Sequence, residues 1–129
     1  MSVVVLDASA LLALLKREPG ADIVAASLNQ AVIGAVNLGE AAQIQYLYGW
    51  NRNDFEVAIS LTEISVVPVT KRIVMDAADF RELARKNGIS QADCLCLALT
   101  KSEDAVALIA DRDWLKIADD IGVRVQLIR

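Results

Sequence analysis

The 129-residue chain contains no histidine. That absence removes imidazole general-base chemistry, histidine triads and the usual histidine zinc sites. Cysteine is almost as scarce. Cys94 and Cys96 are two positions apart, so on a helix they point in different directions and cannot share a metal. They read as small buried residues of a reducing compartment. Catalysis here must therefore use carboxylates, hydroxyls, Lys or Arg. No apolar run approaches the ~18–20 residues needed to cross a bilayer. No basic segment precedes a cleavable apolar one, so the expected compartment is the cytoplasm, with no membrane partner. Positive charge is also in short supply. A net charge of −4 lacks the basic excess of a dedicated nucleic-acid binder, although an acidic metal site can mask a local basic surface in the total.

Aliphatic side chains are abundant. Hydrophobic residues make up 55 % of the chain, with a mean hydropathy of +0.40, which suits a sheet buried between two helical layers. The length is that of one ordinary domain, expected to span 1–129. The run Val3-Val4-Val5-Leu6 leads directly into Asp7. An unbroken apolar run of this kind reads as a strand buried on both faces of a parallel sheet. Asp7 then stands at the carboxyl end of that strand, the edge where open α/β sheets bind ligands. Ser9 or Asp7 can cap the helix that follows, Ala10 to Lys16.

Further along, the pattern predicts a helix from Ala21 to Asn29 behind Pro19, a strand Ala31–Val36, and a helix from Leu38 capped by Asn37. Asp54 is the expected cap of a helix running from Phe55 to Thr62. Val66–Val69 reads as a strand whose Pro68 suits an edge. Thr70 caps a long helix, Lys71 to Asn87, stopped by Gly88. Ser90 caps a helix from Gln91 to Lys101. Val106–Ala110 is a strand ending at Asp111. A helix over Asp113 to Ile121 and a strand over Val123 to Ile128 complete the chain. Strand and helix alternate, so the sheet should be mainly parallel with right-handed crossovers.

Five acids sit where a strand or loop hands over to a helix: Asp7, Glu40, Asp93, Asp111 and Asp113. Each alone reads as a helix cap. Asn37-x-x-Glu40 and Ser90-x-x-Asp93 have the capping-box pattern, and acids in a first turn complement the helix dipole. Together they suggest more. Asp7 and Asp111 both end apolar strands, so both should face one rim of the sheet, which Glu40 and Asp93 can reach from their first turns. Two carboxylates at ~4 Å repel by about 4 kcal/mol at an effective dielectric of ~20, so a cluster needs a divalent cation. With oxygen donors alone, Mg²⁺ or Mn²⁺ is the natural choice. Such ions suit phosphodiester hydrolysis, since they acidify a bound water and hold phosphate oxygens.

Four blocks then carry a resemblance: Val4-Val5-Leu6-Asp7-Ala8-Ser9-Ala10, Val36-Asn37-Leu38-Gly39-Glu40, Gly88-Ile89-Ser90-Gln91-Ala92-Asp93-Cys94 and Ala110-Asp111-Arg112-Asp113-Trp114. In this order and spacing the chain resembles PIN-domain ribonucleases, above all VapC-type toxins of toxin–antitoxin pairs. The resemblance implies a three-layer α/β/α domain with a five-stranded parallel sheet ordered 3-2-1-4-5. It implies that Asp7, Glu40, Asp93 and Asp111 bind metal, with Asp113 as a supporting or second-metal residue and Ser9 beside the site. It also implies a structured RNA substrate of the tRNA or rRNA class, a VapB-like antitoxin and a homodimer. Many relatives carry Thr or Ser where this chain has Ile109, so a hydroxyl near the site is missing from its usual place.

Lys16, Arg17, Arg112 and Lys116 are candidate phosphate contacts, with Arg112 favoured for its place between two acids. Tyr46, Tyr48, Trp50 and Phe55 crowd one short stretch, as core or as a partner groove. A phosphoacceptor receiver domain is disfavoured because no Asp follows the third strand. A haloacid-dehalogenase-type phosphatase is disfavoured because Ser9 stands where its second Asp would be. The remaining alternative is a non-catalytic RNA- or antitoxin-binding module whose acids only cap helices.

Overall fold

The computed structural model describes residues 2–129. Five short strands, β1 (Val4–Leu6), β2 (Ala31–Gly34), β3 (Ser65–Val67), β4 (Val106–Ile109) and β5 (Arg124–Leu127), form one sheet in the order β3-β2-β1-β4-β5. Every neighbouring pair is parallel. The fold class, strand order and parallel direction match the expectation.

Period-2 alternation builds two cores from these strands. Val5, Ala107 and Ile109 point to one face of the sheet, and Leu6, Ile33 and Leu108 to the other. Helices α1 (Ala8–Lys16), α2 (Ala21–Ala26), α3 (Ala35–Leu47) and α4 (Arg52–Ser60) supply the second face. Helices α5 (Lys71–Asp79), α6 (Arg81–Lys86), α7 (Gln91–Ser102) and α8 (Leu115–Ile121) supply the first. Both faces of the central strands are thus dry, which is why their sequences are continuously apolar rather than alternating. Cys94 and Cys96 are free thiols within the first core.

Several boundaries differ from the sequence expectation for identifiable reasons. The expected helix Ala21–Asn29 stops at Ala26 and continues as a 3₁₀ turn, Leu28–Gln30. Asn51, not Asp54, caps α4, and Asp54 answers as the acid of a reciprocal capping box. The long helix expected from Lys71 breaks at Phe80, whose backbone leaves the helical region while its ring is buried. Thr70 caps α5 as expected. Gly20 opens α2 with φ +96°, and a Cβ there would lie 2.6 Å from the Ile128 carbonyl oxygen. Only glycine meets both demands.

The largest correction concerns α3. It begins at Ala35, three residues earlier in effect than a cap at Asn37 would allow, and Gly34 is its N-cap. Asn37 lies inside the first turn, so it caps nothing, and Glu40 falls in the second turn.

Candidate metal centre

Strand order reverses beside β1. The chain leaves β1 toward β2 and β3, then crosses back to β4 and β5. That reversal opens a crevice at the carboxyl rim between β1 and β4. Helices α1 and α3 follow β1 and β2, so they start at this rim. Helix α7 precedes β4 and runs back along it, so its N-terminus reaches the same rim. A cleft of about 230 Å³ lies there, lined by Asp7, Ser9, Glu40, Asp93 and Asp111. Leu12, Ile44 and Trp114 supply an apolar wall.

Asp7 is the innermost acid, only 4 % exposed. It does cap α1: its Oδ1 accepts the Ala10 N–H at 2.8 Å. Ser9 does not cap the helix. Its Oγ lies 2.7 and 2.8 Å from the two Asp7 oxygens, so one hydroxyl proton is shared between them. The same Oγ accepts the Ala110 N–H at 3.2 Å. Ser9 therefore ties Asp7 to the end of β4, while Ile109 is fully buried in the core. Burial pushes the Asp7 carboxyl up to about 6. The bonds from Ser9 and Ala10 oppose that shift, while the charges of Asp93 and Glu40 reinforce it.

Asp93 belongs to a true capping box. Ser90 Oγ accepts the Asp93 N–H at 3.2 Å and the Asp93 carboxylate accepts the Ser90 N–H at 3.4 Å. Burial raises its carboxyl, the Ser90 bonds oppose this, and the Asp111 charge adds to it. Glu40 is half-buried and also raised by burial, against a hydrogen bond from Asn37 and with a push from Asp93. Asp111 is exposed and caps a 3₁₀ turn, Arg112–Trp114, by accepting the Asp113 N–H at 2.9 Å. Asp113 does not line the cleft. Its carboxylate pairs with Lys116 Nζ at 2.8 Å.

The charge of Asp93 thus acts on both Asp7 and Glu40, and that of Asp111 acts on Asp93. The donor set is all oxygen, and the stress at Asp7 is what a hard cation relieves. The chemistry fits Mg²⁺ or Mn²⁺. The arrangement is open: among the described residues, no three acidic or cysteine side chains stand close enough to enclose an ion as they are. An ion seated here needs water to complete its shell, as Mg²⁺ ordinarily does.

The candidate basic residues differ. Lys16 is committed to Glu18 at 3.6 Å and to the Tyr48 ring at 4.1 Å. Arg17 and Arg112 are exposed, and among the described residues Arg112 makes no ion pair. Of the crowded aromatics, Phe55 is buried and meets Tyr46 edge-on, while Tyr46 and Tyr48 face solvent. Sequence reasoning missed three contributors. Leu12 and Ile44 carry no sequence signal beyond helical periodicity. Asn37 was legible only as a cap, whereas its buried amide bonds both Glu40 and α7.

The PIN domain family model matches residues 4–120, and the chain belongs to that family. Solved structures share the fold at low identity. VapBC-1 from nontypeable Haemophilus influenzae aligns at 18 % identity with a TM-score of 0.69, covering 98 % of each chain. A toxin–antitoxin complex from Klebsiella pneumoniae aligns at 14 % identity with a TM-score of 0.73, also covering 98 % of each chain. VapBC-5 from Mycobacterium tuberculosis, a member of the VapBC family of toxin–antitoxin systems, aligns at 19 % identity with a TM-score of 0.62, covering 100 % of this chain and 99 % of that one. No curated protein matches the sequence significantly.

Proposed function

We propose that this PIN domain is a Mg²⁺- or Mn²⁺-dependent endoribonuclease of structured RNA, acting in the cytoplasm as the VapC-type toxin of a toxin–antitoxin pair. One observation carries the reading: Asp7, Glu40, Asp93 and Asp111, drawn from segments scattered along the chain, line a single cleft at the strand-order reversal. The toxin–antitoxin complexes among its structural neighbours support the biological role.

Asp7, Glu40, Asp93 and Asp111 are the residues that would hold the metal. When bound, the metal supplies positive charge for the scissile phosphate and acidifies the attacking water. The chain's own groups do the rest. Leu12, Ile44 and Trp114 keep one wall of the cleft dry, which strengthens every charge interaction inside it. A carboxylate of the cleft that is not spent on the metal would orient the attacking water and accept its proton. Arg112, exposed and without an ion pair among the described residues, would hold a neighbouring RNA phosphate. Asp113, held by Lys116, is assigned no ligand role. The exposed Tyr46, Leu47, Tyr48 and Leu61 offer apolar surface to a VapB-like antitoxin or to a second copy in a homodimer.

The test is end mapping of total RNA incubated with purified, antitoxin-free protein and Mg²⁺. Discrete cuts that vanish in Asp93→Asn bear the reading out. Metal-independent cuts, or cuts unchanged in the variant, refute it, and RNA or antitoxin binding without cleavage would favour a non-catalytic module.

A further inference from the structure

We infer that Asn37 is a positioning residue, its side-chain amide holding the Glu40 carboxylate against the first turn of α7, where Asp93 sits. This inference rests on the metal-site reading above and deepens it.

Asn37 is 1 % exposed. A buried amide in a helix first turn needs partners for its two N–H bonds, and both are found. Nδ2 donates to Glu40 Oε1 at 3.0 Å and to the Ala92 carbonyl oxygen at 3.2 Å. Ala92 immediately precedes Asp93. One nitrogen thus joins an acid on α3 to the turn of α7 that carries the next acid, across 55 positions of sequence.

The geometry explains why this residue is an amide. A carboxylate at 37 would aim negative oxygens at Glu40 and at a carbonyl, and both contacts would turn repulsive. A Ser or Thr hydroxyl has one hydrogen and could satisfy one acceptor, leaving the other bare. Lys or Arg would neutralise Glu40 with a competing cation. The neutral two-hydrogen donor restrains Glu40 without consuming its charge. The early start of α3 makes this possible, because an Asn at the cap position would spend its side chain on the backbone of its own helix.

The experiment measures Mn²⁺ affinity of the full chain by titration calorimetry for the wild type, Asn37→Leu, Asn37→Ser, Glu40→Gln and the double variant Asn37→Leu/Glu40→Gln. Removing an outer hydrogen-bond partner of a metal ligand typically costs about 10–100-fold in affinity. Asn37→Leu should weaken Mn²⁺ binding at least tenfold, and Asn37→Ser, keeping one donor, should fall between it and wild type. In the Glu40→Gln background Asn37→Leu should add less than about threefold, because the carboxylate it positions is gone. Circular dichroism and metal-free melting identify folded variants; if Asn37→Leu fails to fold, Asn37→Ser alone decides. Wild-type affinity in folded Asn37→Ser and Asn37→Leu, or full additivity in the double variant, overturns the inference while Glu40→Gln still reports on the site. Absence of Mn²⁺ binding by wild type, or no loss in Glu40→Gln, overturns the site reading itself.

Discussion

Two stretches of this chain carry the same pattern, a capping-type residue followed three positions later by an acid, and they build different things. At Ser90-x-x-Asp93 the helix starts where the pattern says, and hydroxyl and carboxylate bond each other's backbone. At Asn37-x-x-Glu40 the helix has already started, Gly34 occupies the cap without a side chain, and the Asn37 amide reaches across to α7. Both acids reach one cleft. Asp93 is fixed by its own helix terminus, a local device that any sequence reader can find. Glu40 is held by Asn37 of its own helix, and the Asn37 amide is in turn anchored on a neighbouring helix, a contact no local pattern records. Caps and site acids are therefore not rival interpretations of a residue. Asp7 caps α1 with one oxygen and lines the cleft as well.

This contrast can be tested at several scales. The largest effect belongs to the acids. Asp93→Asn or Asp7→Asn should lower metal-dependent RNA cleavage by more than the ~10–100-fold typical of losing an outer partner of a metal ligand; rates within a factor of a few of wild type would break the assignment.

The next effect is on stability. The Asp7 carboxyl stands near 6 in the fold against 3.8 in a model peptide. A raised acid binds its proton more tightly when folded, so folding is favoured while that proton is on. The advantage is complete below the unfolded value and is lost as pH rises through the folded one. That gap corresponds to about 3 kcal/mol between roughly pH 4 and pH 7. Metal-free Asp7→Asn should therefore melt several degrees above wild type at pH 7.5, with the gain shrinking toward pH 4. Mg²⁺ should reverse the order. It should raise the wild-type melting temperature above pH 7, lose most of that increment by pH 5 as Asp7 protonates, and do little for Asp7→Asn. A metal increment independent of pH, or undiminished in the variant, would remove Asp7 from the site.

A smaller effect separates the two look-alike stretches. Ser90→Ala removes a true cap and should cost ~1 kcal/mol in chemical denaturation. Asn37 variants should be marked by their change in ion affinity. The smallest effect is expected at Asp113, whose partner Lys116 is exposed. Asp113→Asn should leave both the melting temperature and cleavage near wild type, because solvent screens an exposed pair; a collapse of activity would restore Asp113 as a ligand.

The sequence by itself determined the alternation of strand and helix, the parallel sheet and the rim on which the acids fall. Continuous apolar strands, capping residues and the position of an acid after a strand are local properties, and burial on two faces needs nothing else to be recognised. Resemblance supplied the strand order, which locality cannot, because it depends on which way each crossover returns. Only the tertiary structure decided where α3 begins, that the helix after Thr70 breaks at a buried Phe80, that Ser9 ties Asp7 to β4, and that Asn37 serves Glu40 rather than its own helix. Two of those rest on partners far away in sequence, Ala110 for Ser9 and Ala92 for Asn37. A hydrogen bond spanning 55 or 101 positions is chosen by packing, and packing is settled only when the whole core is in place.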